Sequence, residues 1–160
     1  MEKTLTLRYE QTSLEALDPS DRQLIAKAQQ AAHTAYNPYS HFYVGAALRL
    51  ADGTIVTGSN QENMAYPSGL CAERTALFSA GAQHPGTPIE ALAVVGAIEA
   101  LGEGSPLDYR AASPCGACRQ VMCEYERKQA RKMRILLYHN EDQILVFDSA
   151  EALLPFAFDL

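Results

Sequence analysis

Leu24, Ile25, Ala28, Ala31 and Ala32 recur at helical spacing and predict a helix with one apolar face. Asp18-Pro19 supplies its start, an N-cap followed by proline at the first helical position, and Asn37-Pro38 ends it. Before it, Thr4, Leu5, Thr6, Leu7, Arg8 and Tyr9 alternate polar and apolar, which predicts an edge strand or loose arm within an extension over residues 1–17. After it, Tyr43–Leu50 and Thr54–Ser59 read as strands joined through Ala51-Asp52-Gly53, and Asp-Gly between such runs signals a hairpin. A turn at Tyr66-Pro67-Ser68-Gly69 leads into a second helix, about Leu70 to Ala80. Ile89–Ile98 is rich in Val, Ile and Ala and reads as a buried strand. Glu99–Ala112 reads as a polar, glycine-containing loop long enough to suggest a functional duty.

Ser113-Pro114 repeats the pairing of N-cap and proline and opens a third predicted helix. Arg134–His139 and Gln143–Phe147 are two more strands, and the short link Asn140-Glu141-Asp142 permits an antiparallel hairpin but no parallel crossover. A last short helix, Ser149–Leu154, ends at Pro155. This order predicts an α/β fold of three layers, α/β/α, around a central mixed five-stranded sheet. No repeat, low-complexity tract or linker interrupts residues 1–160, so a single domain is expected.

The chain's 160 residues are enough to bury roughly 70% of the unfolded surface. No apolar run approaches the ~18 residues of a membrane span, and Met1-Glu2-Lys3-Thr4 lacks a signal peptide's apolar core, so the expected location is the cytoplasm. A net charge of −6 argues against nucleic acid as a partner, because such binding rests on Lys and Arg neutralising phosphates. Arg127, Lys128, Arg131, Lys132 and Arg134 form one basic cluster, read as a solvated helix face and C-terminus.

Two short motifs carry the chemistry: Cys71-Ala72-Glu73 and Pro114-Cys115-Gly116-Ala117-Cys118. Cys71, Cys115 and Cys118 supply three thiolates for a zinc ion, and three protein ligands leave the fourth tetrahedral position open, as catalytic zinc requires. Both motifs sit at predicted helix starts, where partial positive charge lowers thiol pKa values. Three thiolates still leave Zn²⁺ with a net negative charge, so Arg74 and Arg119 are candidates to donate hydrogen bonds to the sulfurs. Glu73, two residues from Cys71 and so on another helix face, reads as the general acid/base rather than a ligand. Cys123 lies five residues past Cys118, roughly 140° round the helix, and reads as a small buried hydrophobe. His33, His84 and His139 read as surface or helix-end residues and His41 as a hydrogen-bonded structural one.

This constellation is that of the zinc deaminases. Asn37-Pro38-Tyr39-Ser40-His41-Phe42, Gly58-Ser59-Asn60-Gln61-Glu62-Asn63, Cys71-Ala72-Glu73-Arg74-Thr75-Ala76 and Ser113-Pro114-Cys115-Gly116-Ala117-Cys118-Arg119-Gln120 resemble, in order, segments of the small three-cysteine cytidine deaminases. The resemblance runs from about residue 20 to residue 158. It implies hydrolysis of cytidine or deoxycytidine to uridine or deoxyuridine, one zinc per chain, and a homotetramer with active sites shared between subunits. It also implies that Asn60 and Glu62 bind the ribose hydroxyls, Phe42 packs on the pyrimidine, and Ala72 presents backbone groups to the base. Ser113 would offer its carbonyl to the amino group, and Phe158 would reach a neighbouring subunit's site. Ser59, Met64 and Tyr43 depart from the family pattern, and Met64 near the sugar segment bears on pocket shape.

Three rival readings stand beside it. A deaminase of a modified pyrimidine nucleoside or nucleoside antibiotic would keep the same metal and acid/base. A non-catalytic zinc-stabilised binding module would need a fourth protein ligand, and none sits at a sensible spacing. A Cys115–Cys118 redox dithiol would not call for a third cysteine beside Glu73.

Overall fold

The strand β4 (Ile89–Glu99) is buried on both faces, as its Val, Ala and Leu run requires, and the fold is arranged about it. The computed structural model describes residues 1–159. On one side β4 pairs antiparallel with β2 (Tyr43–Leu50), which forms a hairpin with β3 (Ile55–Ser59). On the other it pairs parallel with β6 (Arg134–Asn140), which turns back antiparallel into β7 (Gln143–Phe147). Helix α1 (Pro19–Ala32) covers one face, packing Leu24, Ile25 and Ala28 on Ala47, Ala91, Ala93 and Val95. Helices α2 (Ala72–Gln83) and α3 (Gly116–Gln129) cover the other, with Leu77 and Met122 against Leu48, Leu92 and Val94. The layers are α/β/α, as the element order predicts. No helix among the described residues is long and apolar enough to cross a membrane.

The sheet has seven strands where the sequence predicts five. One addition is β1 (Glu10–Thr12), which pairs with β7 at the sheet edge. The alternating residues 4–9 lie just outside it and form no ladder, although the Tyr9 ring stacks on Phe147 at 5.6 Å. The other is β5 (Leu107–Arg110), inside the stretch expected to be loop. It pairs with Gly96–Glu99 of β4 beyond the point where β6 stops. Both are short and polar, so they form only because a neighbouring edge offers unpaired backbone groups.

Buried polar side chains fix the layers. The carboxylate of Asp21 in α1 accepts from Arg49 and Arg134, each at 3.0 Å, tying the helix to β2 and β6. Glu126 in α3 accepts from the Met133 and Ala150 backbone N–H groups and the Ser149 hydroxyl. Two other arginines of the basic cluster pair nearer the surface: Arg131 meets Glu90 at 2.8 Å and Arg127 meets Asp159 at 2.7 Å.

Small residues set the depth of α2. A methyl on Gly58 of β3 would lie 2.7 Å from the Ala72 carbonyl oxygen and 2.5 Å from the Ala76 nitrogen, both helix backbone. Gly58→Ala is therefore expected to destabilise the protein by about 1–3 kcal/mol in denaturant unfolding, because the helix as a whole must move. Gly116→Ala, whose methyl meets open space at the first turn of α3, should cost no stability.

Candidate metal centre and active site

Cys71 and Cys115 occupy N-cap positions with extended backbone, and neither side chain is spent on a capping hydrogen bond. Helix α3 thus starts at Gly116, later than the Ser113-Pro114 start predicted, because the cysteine rather than the serine caps it. Cys118 follows in the first turn of α3. Cys71 Sγ lies 3.7 Å from Cys115 Sγ, which lies 3.5 Å from Cys118 Sγ, and the three sulfurs all lie within 4.8 Å of one another. Cys118 is buried and Cys115 is exposed, so the cluster opens on one side.

Two helix N-termini and one guanidinium hold this charge. Arg74 donates to the Cys71 Sγ at 3.8 Å. The Cys71 thiol is brought down to about 5 by hydrogen bonding with Cys118, with Arg74 and Cys115 adding to it. Cys118 is pushed up in turn by its bond to Cys71 and by burial. Arg119, considered beside Arg74, binds elsewhere: it donates to the Pro114 carbonyl at 2.8 Å and the Leu153 carbonyl at 3.0 Å. Its effect on the sulfurs is indirect, through the loop that carries Cys115.

Cys71, Cys115 and Glu73 line one open cleft of about 770 Å³. Glu73 is 3% exposed. Burial raises its carboxyl to about 7, and the charge on Cys71 pushes the same way. A carboxyl poised there both accepts and returns a proton near neutral pH.

Phe42, Asn60, Glu62 and Ser113 line the same cleft. Gly96 of β4 makes room for the Phe42 ring and for Ala112, since any side chain there would overlap both. The Asn60 amide accepts from the Val44 N–H at 2.8 Å and donates to the Phe42 carbonyl at 2.9 Å, holding the start of β2. Glu62 Oε2 accepts from the N–H groups of Tyr39 and Ser40. Partial burial works against this carboxylate, but those bonds, with the Ser40 side chain, hold it below the usual range. Ala72 is fully buried in the core behind Cys71, and its side chain is not on the cleft wall. Phe158 is 67% exposed and lies off its own chain's cleft. Met64 is exposed beside the cleft and Ser59 bonds Thr34 and Gln61 behind it.

Residues 18–133 match the family described as the cytidine and deoxycytidylate deaminase zinc-binding region. The chain belongs to that family. It is 47% identical over 105 residues to a cytidine deaminase of Halalkalibacterium halodurans, which covers 65% of this chain and 71% of that one. A cytidine deaminase of Mycobacterium tuberculosis is 47% identical over 105 residues, covering 64% and 68%. Among solved structures, the cytidine deaminase from Burkholderia pseudomallei aligns with TM-score 0.69 and 44% identity over 86% of this chain and 98% of that chain.

The donor set of this deaminase fits zinc. Thiolates at ~2.3 Å in a tetrahedron lie about 3.8 Å apart, close to the sulfur spacings here. The described residues bring no fourth protein ligand to the cluster, which leaves an open position facing the cleft. Sequence reasoning gave no role to Tyr39, Tyr66, Val94, Ala111 and Ala112, which also line the wall. Ala111 and Ala112 directly precede Ser113, and their small size between a polar loop and a motif was the available signal.

The buried Glu73 gives a sign to the pH dependence of the metal-free protein. The folded state keeps this proton up to about pH 7, whereas the unfolded chain releases it near 4.5. Its ionisation thus lowers stability as pH rises through that window, by on the order of 3 kcal/mol. Glu73→Gln should remove this loss, so the variant gains on the parent between pH 5 and 7 in urea melts of chelator-treated protein. A constant difference across that range would show that Glu73 ionises normally.

Proposed function

We propose that this enzyme hydrolyses the exocyclic amine of cytidine and 2′-deoxycytidine, giving uridine or deoxyuridine and ammonia. The observation that carries this reading is a buried carboxyl, Glu73, set beside an open three-sulfur cluster in one cleft. When bound, zinc supplies the Lewis acidity that brings the pKa of the attacking water toward neutrality. Glu73 takes a proton from that water and delivers it to ring N3 as oxygen bonds to C4. It then takes the proton of the new C4 hydroxyl and passes it to the amino nitrogen; the C4–N4 bond breaks, the C4 oxygen becomes the carbonyl, and ammonia leaves. Phe42 packs on the pyrimidine and orients it, while Ser113 and the Ala72 backbone hold the amino group and the base edge.

The sugar end of the cleft favours a free nucleoside over its phosphate. Among the described lining residues the one Lys or Arg is Arg74, which is hydrogen-bonded to Cys71 Sγ. Glu62, with Oε2 already occupied by backbone, leaves Oε1 to accept from ribose hydroxyls and would repel a phosphate. Asn60 has a second amide hydrogen for the same hydroxyls. The net charge of −6 also disfavours a polynucleotide. We read the whole chain as one domain, with residues 1–17 adding a sheet edge, acting in cytoplasmic pyrimidine salvage. In the proposed homotetramer each cleft is completed by a neighbour's Phe158, a reading supported by the ring's exposure and by its place outside the lining of its own cleft.

Loss of cytidine absorbance in zinc-loaded protein tests the reaction. Glu73→Ala should lower kcat by about 10²–10⁴-fold while nucleoside affinity changes little, since the carboxyl acts as the proton moves. Equal losses in affinity and turnover would sink the assigned role. Zinc-loaded parent protein that leaves cytidine and deoxycytidine untouched would point instead to a modified pyrimidine.

A further inference from the structure

Two glutamines on α3 use the same device for different ends. The Gln129 amide accepts from the Ile89 N–H at 2.8 Å and donates to the Ile89 carbonyl at 2.9 Å, fixing the start of a core strand. The Gln120 amide does the same for Phe158, accepting from its N–H at 2.9 Å and donating to its carbonyl at 3.0 Å. A planar amide offers one acceptor and a donor pair side by side, so it pairs with a residue's backbone as a neighbouring strand would. Arg127 adds a third bond to the Phe158 carbonyl at 3.2 Å and an ion pair to Asp159.

At Ile89 the device serves a side chain 2% exposed; at Phe158 it serves one that is 67% exposed. The tail's own apolar packing is done by Leu154 and Ala157, which lie against the core. Fixing one more backbone residue costs about 1–2 kcal/mol of conformational entropy, and at Phe158 a ring left 67% exposed repays little of it by burial. The mount therefore fixes the backbone of a residue whose ring is largely exposed.

We infer that Gln120 is a positioning residue, holding the Phe158 backbone so that its ring closes the nucleoside cleft of a neighbouring copy. This rests on the shared-cleft reading above. Gln120 follows Cys118 by two residues, so one helix start would set both a chain's metal ligands and the aromatic wall it lends. Gln120 itself touches no substrate.

Gln120→Met tests it, because methionine keeps the volume and the helix propensity but makes neither hydrogen bond. The expected result is a KM for cytidine raised about three- to tenfold, the usual worth of one aromatic contact. Turnover, zinc content and oligomeric state should be unchanged, and the Phe158 amide should lose its hydrogen-exchange protection. Phe158→Ala should raise KM alike, and the double variant should be no worse than the poorer single one. If Phe158→Ala leaves KM unchanged, the shared cleft fails and the inference with it. If Phe158→Ala raises KM but Gln120→Met does not, or the two effects add, the cleft stands and the mount is overturned. A fall in kcat with zinc loss in Gln120→Met would also overturn it, placing the residue in the metal loop.

Discussion

Three thiolates within reach of one ion repel one another, and much of the architecture exists to make that crowding tolerable. Two of the three sulfurs meet oriented positive charge. Cys71 and Cys115 cap separate helices, so their sulfurs lie at the positive ends of two backbone dipoles. Arg74 adds a full charge against Cys71. Glu73 lies buried near the same sulfurs, and its carboxyl is raised to about 7. Burial does most of this, and the charge on Cys71 adds to it.

Bringing two helix starts together demands that both helices sit close on the sheet, and here small residues matter more than large ones. Gly58 lets the first turn of α2 rest directly on β3, with Ala72 and Ala76 above it. Gly96 does the equivalent on the cleft wall by vacating space for Phe42. The cleft is shaped by what these positions lack. Substitution of either glycine changes where catalytic groups sit, although neither glycine carries any chemistry.

The metal ligands were legible in the sequence because chemistry constrains them locally: Cys115 and Cys118 fall within one helical turn, and Cys71 lies two residues from Glu73. The central strands were legible because β2 and β4 are mostly buried on both faces and are therefore largely apolar. What escaped was set by distant neighbours. Polar segments such as Leu107-Asp108-Tyr109-Arg110 become β5 only where β6 stops short of the end of β4. Arg119 looked like a sulfur donor by spacing, yet its guanidinium meets the Leu153 carbonyl, 34 residues away along the chain. Asn60 read as a sugar contact, and the structure also gives it the work of holding the start of β2.

Helix α3 connects these observations. Within fourteen residues it carries Cys118 and, at its cap, Cys115; Arg119 braces the loop before it; Glu126 and Gln129 fix its far end to β6, β4 and the C-terminal segment. A helix tied so firmly at its far end by buried hydrogen bonds has little freedom at its start, where the metal ligands sit. Such rigidity suits a metal site, because thiolates already at tetrahedral spacing need little reorganisation when the ion arrives. It also explains why a buried carboxylate such as Glu126 sits far from the cleft: its three hydrogen bonds hold in register the element on which the sulfur geometry depends.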